Sequence, residues 1–212
     1  MKPTTKENFE LLFTRYPVLE GCKADILSAY KTLENCYRNG GRVYLCGNGG
    51  SAADCEHIVG ELMKSFKCRR PLKKEFVDKL LQTEDGELLS KTLEGGLPAV
   101  SLCGHPALTS AFANDKNPTL GFAQQLSVLA KEGDVLVSIS TSGNSKNCVY
   151  ATLVAKAMGV KTLFLGGGTG GKLKTVSDIS IVVPESETYK VQELHLPIYH
   201  TLCAMLEEEF FA

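Results

Sequence analysis

The sequence predicts an α/β fold in which a parallel sheet of five strands is covered by helices on both faces. Short apolar runs alternate along the chain with longer segments of helical spacing, which is the order of successive strand–helix–strand units. One run, at 135–140, is apolar nearly throughout and therefore fits a strand buried on both faces. Glycine-rich loops follow two of the runs, where the carboxyl ends of parallel strands bind ligands. These observations indicate a three-layer, doubly wound domain.

The strands are predicted from five short runs that are mostly apolar and contain β-branched or aromatic residues. In chain order these runs are 43–46, 98–102, 135–140, 162–165 and 179–183. The helices are predicted from longer segments with apolar residues every three or four positions. They span about 5–15, 22–37, 52–66, 118–131, 145–158 and 186–209, with a further helical run between the second strand and 118. Pro197 removes a backbone hydrogen bond inside the last helix and should bend it.

Between residues 64 and 79 the composition changes, because basic residues outnumber acidic ones there. Such runs are usually solvated faces, and contact with a ligand or a partner is the alternative. Two short helical patterns follow, around 76–81 and 88–93. We therefore predict one domain over 1–212, with an N-terminal helical segment at about 1–40 and a helical excursion from the core at about 67–96.

The composition is that of an ordinary globular protein, with 43% hydrophobic and 22% charged residues. A formal net charge of -1 gives no general attraction to nucleic acid or to a membrane surface. The eight cysteines include no C-x-x-C pair and fall mostly in apolar segments, so we expect reduced, buried thiols. Neither a signal peptide nor an apolar run of roughly 18 residues is evident, so we expect a cytoplasmic protein.

The sequence Gly47-Asn-Gly-Gly-Ser51 joins the first strand to a helix. Such a glycine loop lets the backbone approach a ligand and aims free N–H groups and the positive end of a helix dipole at it, which favours a phosphate or sugar phosphate. A tight turn without a ligand is one alternative. A dinucleotide loop is another, but it expects an acidic residue after the second strand, where Cys103-Gly-His105 stands instead.

The sequence Ser140-Thr-Ser-Gly-Asn-Ser145 follows the third strand and places four hydroxyl groups within six residues. Hydroxyls and backbone N–H groups can surround a phosphate without lysine or arginine. A serine at this position is alternatively a simple helix N-cap. We predict that phosphate recognition rests on this hydroxyl loop rather than on the basic run at 64–79.

Three of the four histidines lie on two helices. His57 and Glu61 are four residues apart and share a helix face near the glycine loop, although an ordinary surface pair has the same spacing. On the last helix Gln192 and His195 share a face, and His200 follows. We interpret the fourth histidine as part of a loop.

These motifs together resemble the phosphoheptose isomerases of the sugar isomerase (SIS) family. The resemblance rests on 47–57 with Glu61, on Asn114-Asp115, on 140–145, and on Gln192-Glu-Leu-His195 with His200. It implies the flavodoxin-like SIS fold and an isomerase that interconverts sedoheptulose 7-phosphate and D-glycero-D-manno-heptose 7-phosphate, toward the heptoses of bacterial lipopolysaccharide or capsule. Compact members of the family lack an excursion of the length seen here.

The resemblance also implies roles for individual residues. Glu61 and His200 match the catalytic acid/base pair. The substrate-binding positions match Asn48, Gly49, Gly50, Ser51, Asn114, Asp115, Ser140, Thr141, Ser142, Ser145 and Gln192. In members described with zinc, the ligands match His57, Glu61, Gln192 and His200, whose nitrogen and oxygen donors are compatible with that metal. We expect an oligomer with active sites shared between subunits, and the resemblance implies a homotetramer.

The chemistry agrees with these residue types. Conversion of an aldose to a ketose moves a proton between adjacent carbons through an enediolate, which needs a base near C1 and C2 and an acid or metal at the oxygens. Two alternatives remain: a non-catalytic SIS module that binds a sugar phosphate or a protein partner, as replication-initiation regulators do, and an isomerase of another phosphosugar.

The last helix carries more apolar surface than one sheet-covering face needs, which predicts packing against another chain. The residues in question are Leu194, Leu196, Ile198, Tyr199, Leu202, Met205 and Leu206. At the C-terminal end of this helix acidic side chains oppose the helix dipole, so Glu207, Glu208 and Glu209 are expected to remain solvated.

Overall fold

The computed structural model describes all 212 residues and contains one sheet of five parallel strands. The strands are β1 (Val43–Cys46), β2 (Ala99–Ser101), β3 (Val135–Ile139), β4 (Lys161–Gly167) and β5 (Ile179–Val183). Their spatial order is β2-β1-β3-β4-β5, with every neighbouring pair parallel. This is the flavodoxin-like order, so the predicted fold class is confirmed.

The strand order reverses between β1 and β3, which pair from Val43 opposite Val135 to Cys46 opposite Ser138. At such a reversal the chain leaves the two strands toward opposite faces of the sheet, and a crevice opens beyond their carboxyl ends. The glycine loop follows β1 and the hydroxyl loop follows β3. The two predicted phosphate-binding motifs therefore lie side by side at this crevice.

Ten α-helices and one 3₁₀ turn, Pro17–Cys22, make up the remaining regular structure. The helices are α1 (Pro3–Arg15), α2 (Lys23–Arg38), α3 (Gly50–Met63), α4 (Lys74–Leu80), α5 (Gly86–Thr92), α6 (Pro106–Asp115), α7 (Gly121–Leu129), α8 (Lys146–Ala157), α9 (Gly171–Val176) and α10 (Thr188–Phe211). Helix α9, only six residues long, was not predicted because its first turn lies in a glycine-rich stretch. Helix α3 ends three residues before the predicted residue 66, where Lys64 turns to extended backbone.

Both faces of the sheet are buried, as the apolar strands predict. Val43 and Leu45 join a cluster of 31 buried residues with α1, α2, α3 and α10. The alternate residues of β1, Tyr44 and Cys46, join a cluster of 14 buried residues with α7 and α8 on the other face. The arrangement has three layers, helices, sheet and helices.

Most of the apolar surface of α10 is covered within its own chain, so this surface is not itself evidence for a second chain. Five of its seven apolar residues named above are buried, and Leu196, 42% exposed, is the only one largely open to solvent. Helices α1, α2 and α3 pack on α10 together with β4 and β5. The sequence pattern of α10 alone does not reveal this cover, because α1 comes from the other end of the chain.

The acidic end of α10 is also not solvated as predicted. The Glu207 residue is 1% exposed and lies beside Arg70, itself fully buried although it belongs to the basic run. The Glu209 side chain, 7% exposed, accepts hydrogen bonds from the Lys2 backbone N–H, Thr5, Tyr30 and Arg38. Bonds to cationic and hydroxyl groups from distant segments thus offset the unfavourable position at the helix end.

Helices α4 and α5 lie within the predicted excursion, and Phe76, Leu81 and Leu88 there are exposed. All eight cysteines are free thiols, six of them buried. None of the ten helices combines the length and the apolar character needed to cross a membrane.

Candidate active site

The glycine loop joins β1 to α3 at the crevice. Gly49 has a positive φ of 56°, a conformation that favours glycine. A Cβ atom on Gly50 would lie 2.4 Å from Nε2 of Gln192, so the absence of a side chain at position 50 allows α10 to approach the loop. The first residue of the loop, Gly47, accepts a hydrogen bond from the Cys103 thiol at the end of β2. Gln192, predicted as a substrate and metal ligand, is thereby placed against the glycine loop.

The hydroxyl loop follows β3 and leads into α8. The Oγ atoms of Ser140 and Ser145 are 3.0 Å apart and hydrogen-bonded. Ser145 occupies the N-cap position of α8, but its side chain makes no capping hydrogen bond. The alternative of a simple serine N-cap is therefore not what the structure contains. The hydroxyls of this loop and the N-terminus of α8 together provide the donors that an anion needs.

Gly143 fixes the back of the hydroxyl loop. It has a positive φ of 67°, and a Cβ atom there would lie 1.9 Å from the carbonyl oxygen of Gly170. The Leu173 backbone N–H donates to the Gly143 carbonyl at 2.9 Å, and the Gly167 N–H donates to the Thr141 carbonyl at 3.0 Å. The hydroxyl loop is therefore held against the loop that follows β4 by backbone contacts.

A pair of side-chain amides ties the two loops together. Asn48 Nδ2 donates to Asn147 Oδ1 at 3.0 Å, and Asn147 Nδ2 donates back to Asn48 Oδ1 at 2.8 Å. Asn48 belongs to the glycine loop, and Asn147 lies in the first turn of α8, just after the hydroxyl loop. The predicted sugar-binding and phosphate-binding loops thus form one continuous surface.

The predicted acid/base pair meets at His57, on the helix that leaves the glycine loop. His57 Nε2 lies 3.2 Å from Glu61 Oε1 and 3.4 Å from His200 Nε2. These three residues, which we call the histidine cluster, come from α3 and α10 of the same chain. Glu61 and His200 thus meet through His57 within one chain.

Two further residues determine which nitrogen of His57 carries a proton. Tyr199 donates its hydroxyl hydrogen to Asp54 Oδ1 at 3.2 Å, so the Tyr199 oxygen accepts from His57 Nδ1, 3.1 Å away. We assign the Nδ1–H tautomer to His57 on this basis. Its Nε2 lone pair then faces Glu61 and His200, which is the orientation of a histidine that binds a metal or accepts a proton.

The electrostatics of the histidine cluster favour neutral imidazole at His200. Burial lowers the pKa of His200, the neighbouring His57 lowers it further, and Glu61 opposes both. Glu61 has a second carboxylate oxygen, Oε2, that is buried without a hydrogen-bond partner. The Lys64 ammonium lies 3.6 Å from this oxygen, whose lone pairs are free to contact a substrate or a cation.

Other predicted residues lie outside the histidine cluster. His195 is fully buried with neither ring nitrogen hydrogen-bonded, and burial lowers its pKa to about 4, so it is a neutral core residue. Asn114 and Asp115 are exposed at the end of α6, where the Asn114 amide donates to the Asp115 carboxylate at 2.9 Å. His105, interpreted as a loop residue, is exposed at the start of α6.

Sequence reasoning missed four residues that support the site. Asp54 and Tyr199 have detectable signals, since each lies within three positions of a cluster histidine and carries a group that can bond to it. Arg70 and Glu207 have no such signal, because each lies in a charged run that is predicted to be solvated. Their contacts depend on packing between segments 137 residues apart.

Comparison with known proteins places the chain in a family. The SIS domain model matches residues 16–95 and 95–167. The phosphoheptose isomerase of Nitratiruptor sp. is 38% identical over 205 residues, which cover 97% of each chain. That of Aliarcobacter butzleri is 35% identical over 192 residues, covering 91% of this chain and 89% of its own.

A solved structure gives the same result for the fold. The structure of a phosphoheptose isomerase from Francisella tularensis matches with a TM-score of 0.76 and 29% identity, covering 98% of this chain and all of that one. Sequence and fold agree over nearly the whole length. The chain therefore belongs to the SIS domain family and, within it, to the phosphoheptose isomerases.

Proposed function

We propose that the protein interconverts sedoheptulose 7-phosphate and D-glycero-D-manno-heptose 7-phosphate. The observation that carries this proposal is that Glu61 on α3 and His200 on α10 both contact Nε2 of His57. A proton donor and acceptor at that place is what an aldose–ketose isomerase requires. The names of the relatives at 35% and 38% identity supply the substrate. The product would serve the synthesis of cell-surface heptoses.

The substrate carries its phosphate on C7 and reacts at C1 and C2, at opposite ends of the sugar chain. The two parts of the site match this division. Ser140, Thr141, Ser142 and Ser145 would hold the phosphate at the end of β3, with the N-terminus of α8 behind it. Asn48, Gly49, Gly50 and Ser51 would line the sugar, which leads toward the histidine cluster. Asn114 and Asp115, on α6, remain proposed sugar contacts.

In the reaction from ketose to aldose, Glu61 would remove a proton from C1, which forms the enediolate, and return it to C2. Its Oε2, which forms no hydrogen bond, has lone pairs available for this role. His200 would move the proton between the two oxygens, a task for an imidazole whose pKa lies below its usual value. Asp54 and Tyr199 would hold His57 in a fixed orientation beside them.

We also propose a zinc site formed by His57, Glu61, Gln192 and His200. The chain has no preformed group of three or more His, Cys, Asp or Glu side chains arranged as a metal site. The donors nevertheless fit zinc. His57 Nε2 lies 3.2 Å from Glu61 Oε1 and 3.4 Å from His200 Nε2, and the Gln192 side chain lies against the glycine loop. Zinc would polarise the sugar oxygens as a Lewis acid.

A homotetramer with shared active sites and a cytoplasmic location complete the proposal. Exposed apolar side chains on α6 and α7, namely Leu108, Val128 and Leu129, offer surface for subunit contact. Eight free thiols suit a reducing compartment. Light scattering of the purified protein measures the subunit number, and a stable, active monomer would exclude the tetramer.

The test of the function is direct. The purified protein is incubated with sedoheptulose 7-phosphate in heavy water, and the sugars are followed by NMR. We expect the aldose to form. Deuterium should enter at C1 or C2 where the transferred proton exchanges with solvent. Fructose 6-phosphate in a parallel reaction tests for another phosphosugar isomerase. Binding of sedoheptulose 7-phosphate without turnover, with or without added zinc, would contradict the proposal and favour a non-catalytic SIS module.

The zinc proposal has a separate test. Treatment with a chelator should lower turnover, and added zinc should restore it, because a bound metal is lost and regained reversibly. Metal content measured on the protein before and after chelation provides a readout independent of activity. Full activity in protein shown to be free of metal would contradict the zinc site while leaving the isomerase proposal intact.

A further inference from the structure

Arg70 and Glu207 form a buried ion pair next to the histidine cluster. Arg70 Nε donates to Glu207 Oε1 at 2.8 Å, and the two side chains are 0% and 2% exposed. Removing two charges from water is costly, so a buried pair is weak evidence for added stability. Apolar residues of similar volume often fill such a place as well or better. The contacts of this pair therefore call for another explanation.

The remaining nitrogens of Arg70 bind the end of α3. Nη2 donates to the carbonyl oxygen of Glu61 at 2.8 Å, and Nη1 donates to that of Leu62 at 2.6 Å. The last carbonyls of a helix lack partners within the helix, and a cation is favourable there. One guanidinium thus fixes the backbone of Glu61 itself.

The carboxylate of Glu207 binds the segment that follows α3. It accepts hydrogen bonds from the backbone N–H groups of Phe66 at 2.8 Å, Lys67 at 2.7 Å and Cys68 at 3.2 Å. The Phe66 ring lies against the imidazole of His200, with 5.5 Å between ring centroids. Glu207 stands seven residues after His200, on the same helix. The carboxylate therefore links α10 to a residue that touches His200.

We propose that Arg70 and Glu207 are positioning residues that set the placement of Glu61 on α3 relative to His200 on α10. Neither side chain touches the space beside Glu61 and His200 where the sugar would react, so both act through the residues they hold. The inference rests on the proposed isomerase function. It goes beyond that function by assigning the catalytic geometry to a buried pair outside the site.

The first experiment compares Arg70→Lys with Arg69→Lys. Lysine keeps the charge but cannot reproduce the three directed bonds of the guanidinium. Arg69, the exposed neighbour, provides the matched control. We expect kcat of Arg70→Lys to fall about 10- to 100-fold, the scale for small misplacement of catalytic groups, while KM changes about twofold or less because the hydroxyl loop is separate. Arg69→Lys should match the wild type.

The second variant, Arg70→Met with Glu207→Leu, removes the charge pair but fills its volume. We expect it to fold with a stability close to that of the wild type and still to lose kcat, which a purely structural pair would not do. The ¹⁵N chemical shifts of the His57 and His200 rings provide a readout that does not need turnover. They should change in both Arg70 variants and remain unchanged in Arg69→Lys.

Each outcome decides between the interpretations. Wild-type kcat and unchanged ring shifts in a folded Arg70→Lys protein or a folded double variant would overturn the positioning role. Unfolding of both variants would overturn it too, because the pair would then be required for folding rather than for geometry. If the wild type itself lacks isomerase activity, the proposed function fails, and the ring shifts still test whether the pair positions the cluster.

Discussion

The hydroxyl loop and the histidine cluster are built in opposite ways. The loop takes all its hydroxyls from six consecutive residues, and backbone bonds at Gly143 and Thr141 hold it in place. The cluster joins side chains from α3 and α10. Its geometry depends on hydrogen bonds that Tyr199 and Glu207 accept and that Arg70 donates. A contiguous loop carries its own geometry, whereas an assembled cluster is sensitive to residues that never meet the substrate. The predictions below test that contrast.

The largest effect is expected in the hydroxyl loop. Replacing Ser140, Thr141 and Ser142 together with alanine should weaken sugar-phosphate binding by roughly 10³-fold or more, since each hydrogen bond to a charged group is worth about 1.5–3 kcal/mol. Replacing Lys73 and Lys74 with methionine should change affinity little. Titration calorimetry measures both, and circular dichroism checks the fold. The reverse order of effects would place phosphate recognition in the basic run.

A loss of turnover rather than binding is expected in the histidine cluster. Glu61→Gln and His200→Asn should each reduce kcat by about 10²-fold or more, the usual contribution of a general acid or base. Substrate affinity should change less, because the hydroxyl loop is intact. Steady-state kinetics on folded protein separates the two parameters. A variant that loses affinity but keeps kcat would remove that residue from the acid/base pair.

The two glycines that allow close approach should respond differently. Gly143→Ala places a Cβ atom against the Gly170 carbonyl at a positive φ, so it should destabilise the protein by more than about 1–2 kcal/mol. Gly50→Ala meets only the end of the Gln192 side chain, which can move, so stability should change by about 0.5 kcal/mol or less while turnover falls. Urea unfolding and kinetics measure these effects. A stable Gly143→Ala protein would contradict the backbone anchoring of the loop.

The smallest effect concerns acid stability at Glu209. Burial, the largest single influence, raises its pKa, but bonds from the Lys2 N–H, Thr5 and Arg38 bring the pKa below the usual value. A carboxylate with a lowered folded-state pKa contributes stability above its unfolded pKa, roughly 4.3, and that stability is lost as pH falls through the folded value. The free energy of unfolding should therefore fall less between pH 5 and 3 in Glu209→Gln than in the wild type.

Urea unfolding at several pH values measures that difference. Glu208→Gln is the control, since only the backbone carbonyl of Glu208, and not its side chain, accepts a hydrogen bond. Equal pH dependence in the wild type and Glu209→Gln would show that the bonds to Glu209 contribute no linked stability.

Local signals in the sequence predicted most of the fold. The apolar runs gave all five strands to within a few residues, because strands buried on both faces have little polar content to obscure them. The glycine and hydroxyl loops were found for a related reason, since their geometry depends on neighbouring residues. Helix α9 was not predicted, because a six-residue helix that begins in glycines has almost no periodic pattern.

The errors in burial and packing involve contacts between distant segments. Glu207 and Arg70 each stand in a charged run, and only tertiary packing shows that both are buried. The apolar residues of α10 were assigned to another chain because the cover provided by α1 is not visible in the pattern of α10. His195 shares a helix with His200, yet it points into the core. Helical spacing defines a face but not what the face packs against.

The position of α10 along the chain has a consequence for synthesis on the ribosome. Arg70 and Glu207 are separated by 137 residues, and α1 packs on α10, so these contacts have very long loops to close. A nascent chain that has folded its sheet still has an uncovered apolar surface on α1 and α3, the kind of surface that chaperones bind. When α10 emerges it covers this surface and brings His200 to His57 beside Glu61, so burial of the apolar surface and assembly of the histidine cluster occur in the same step.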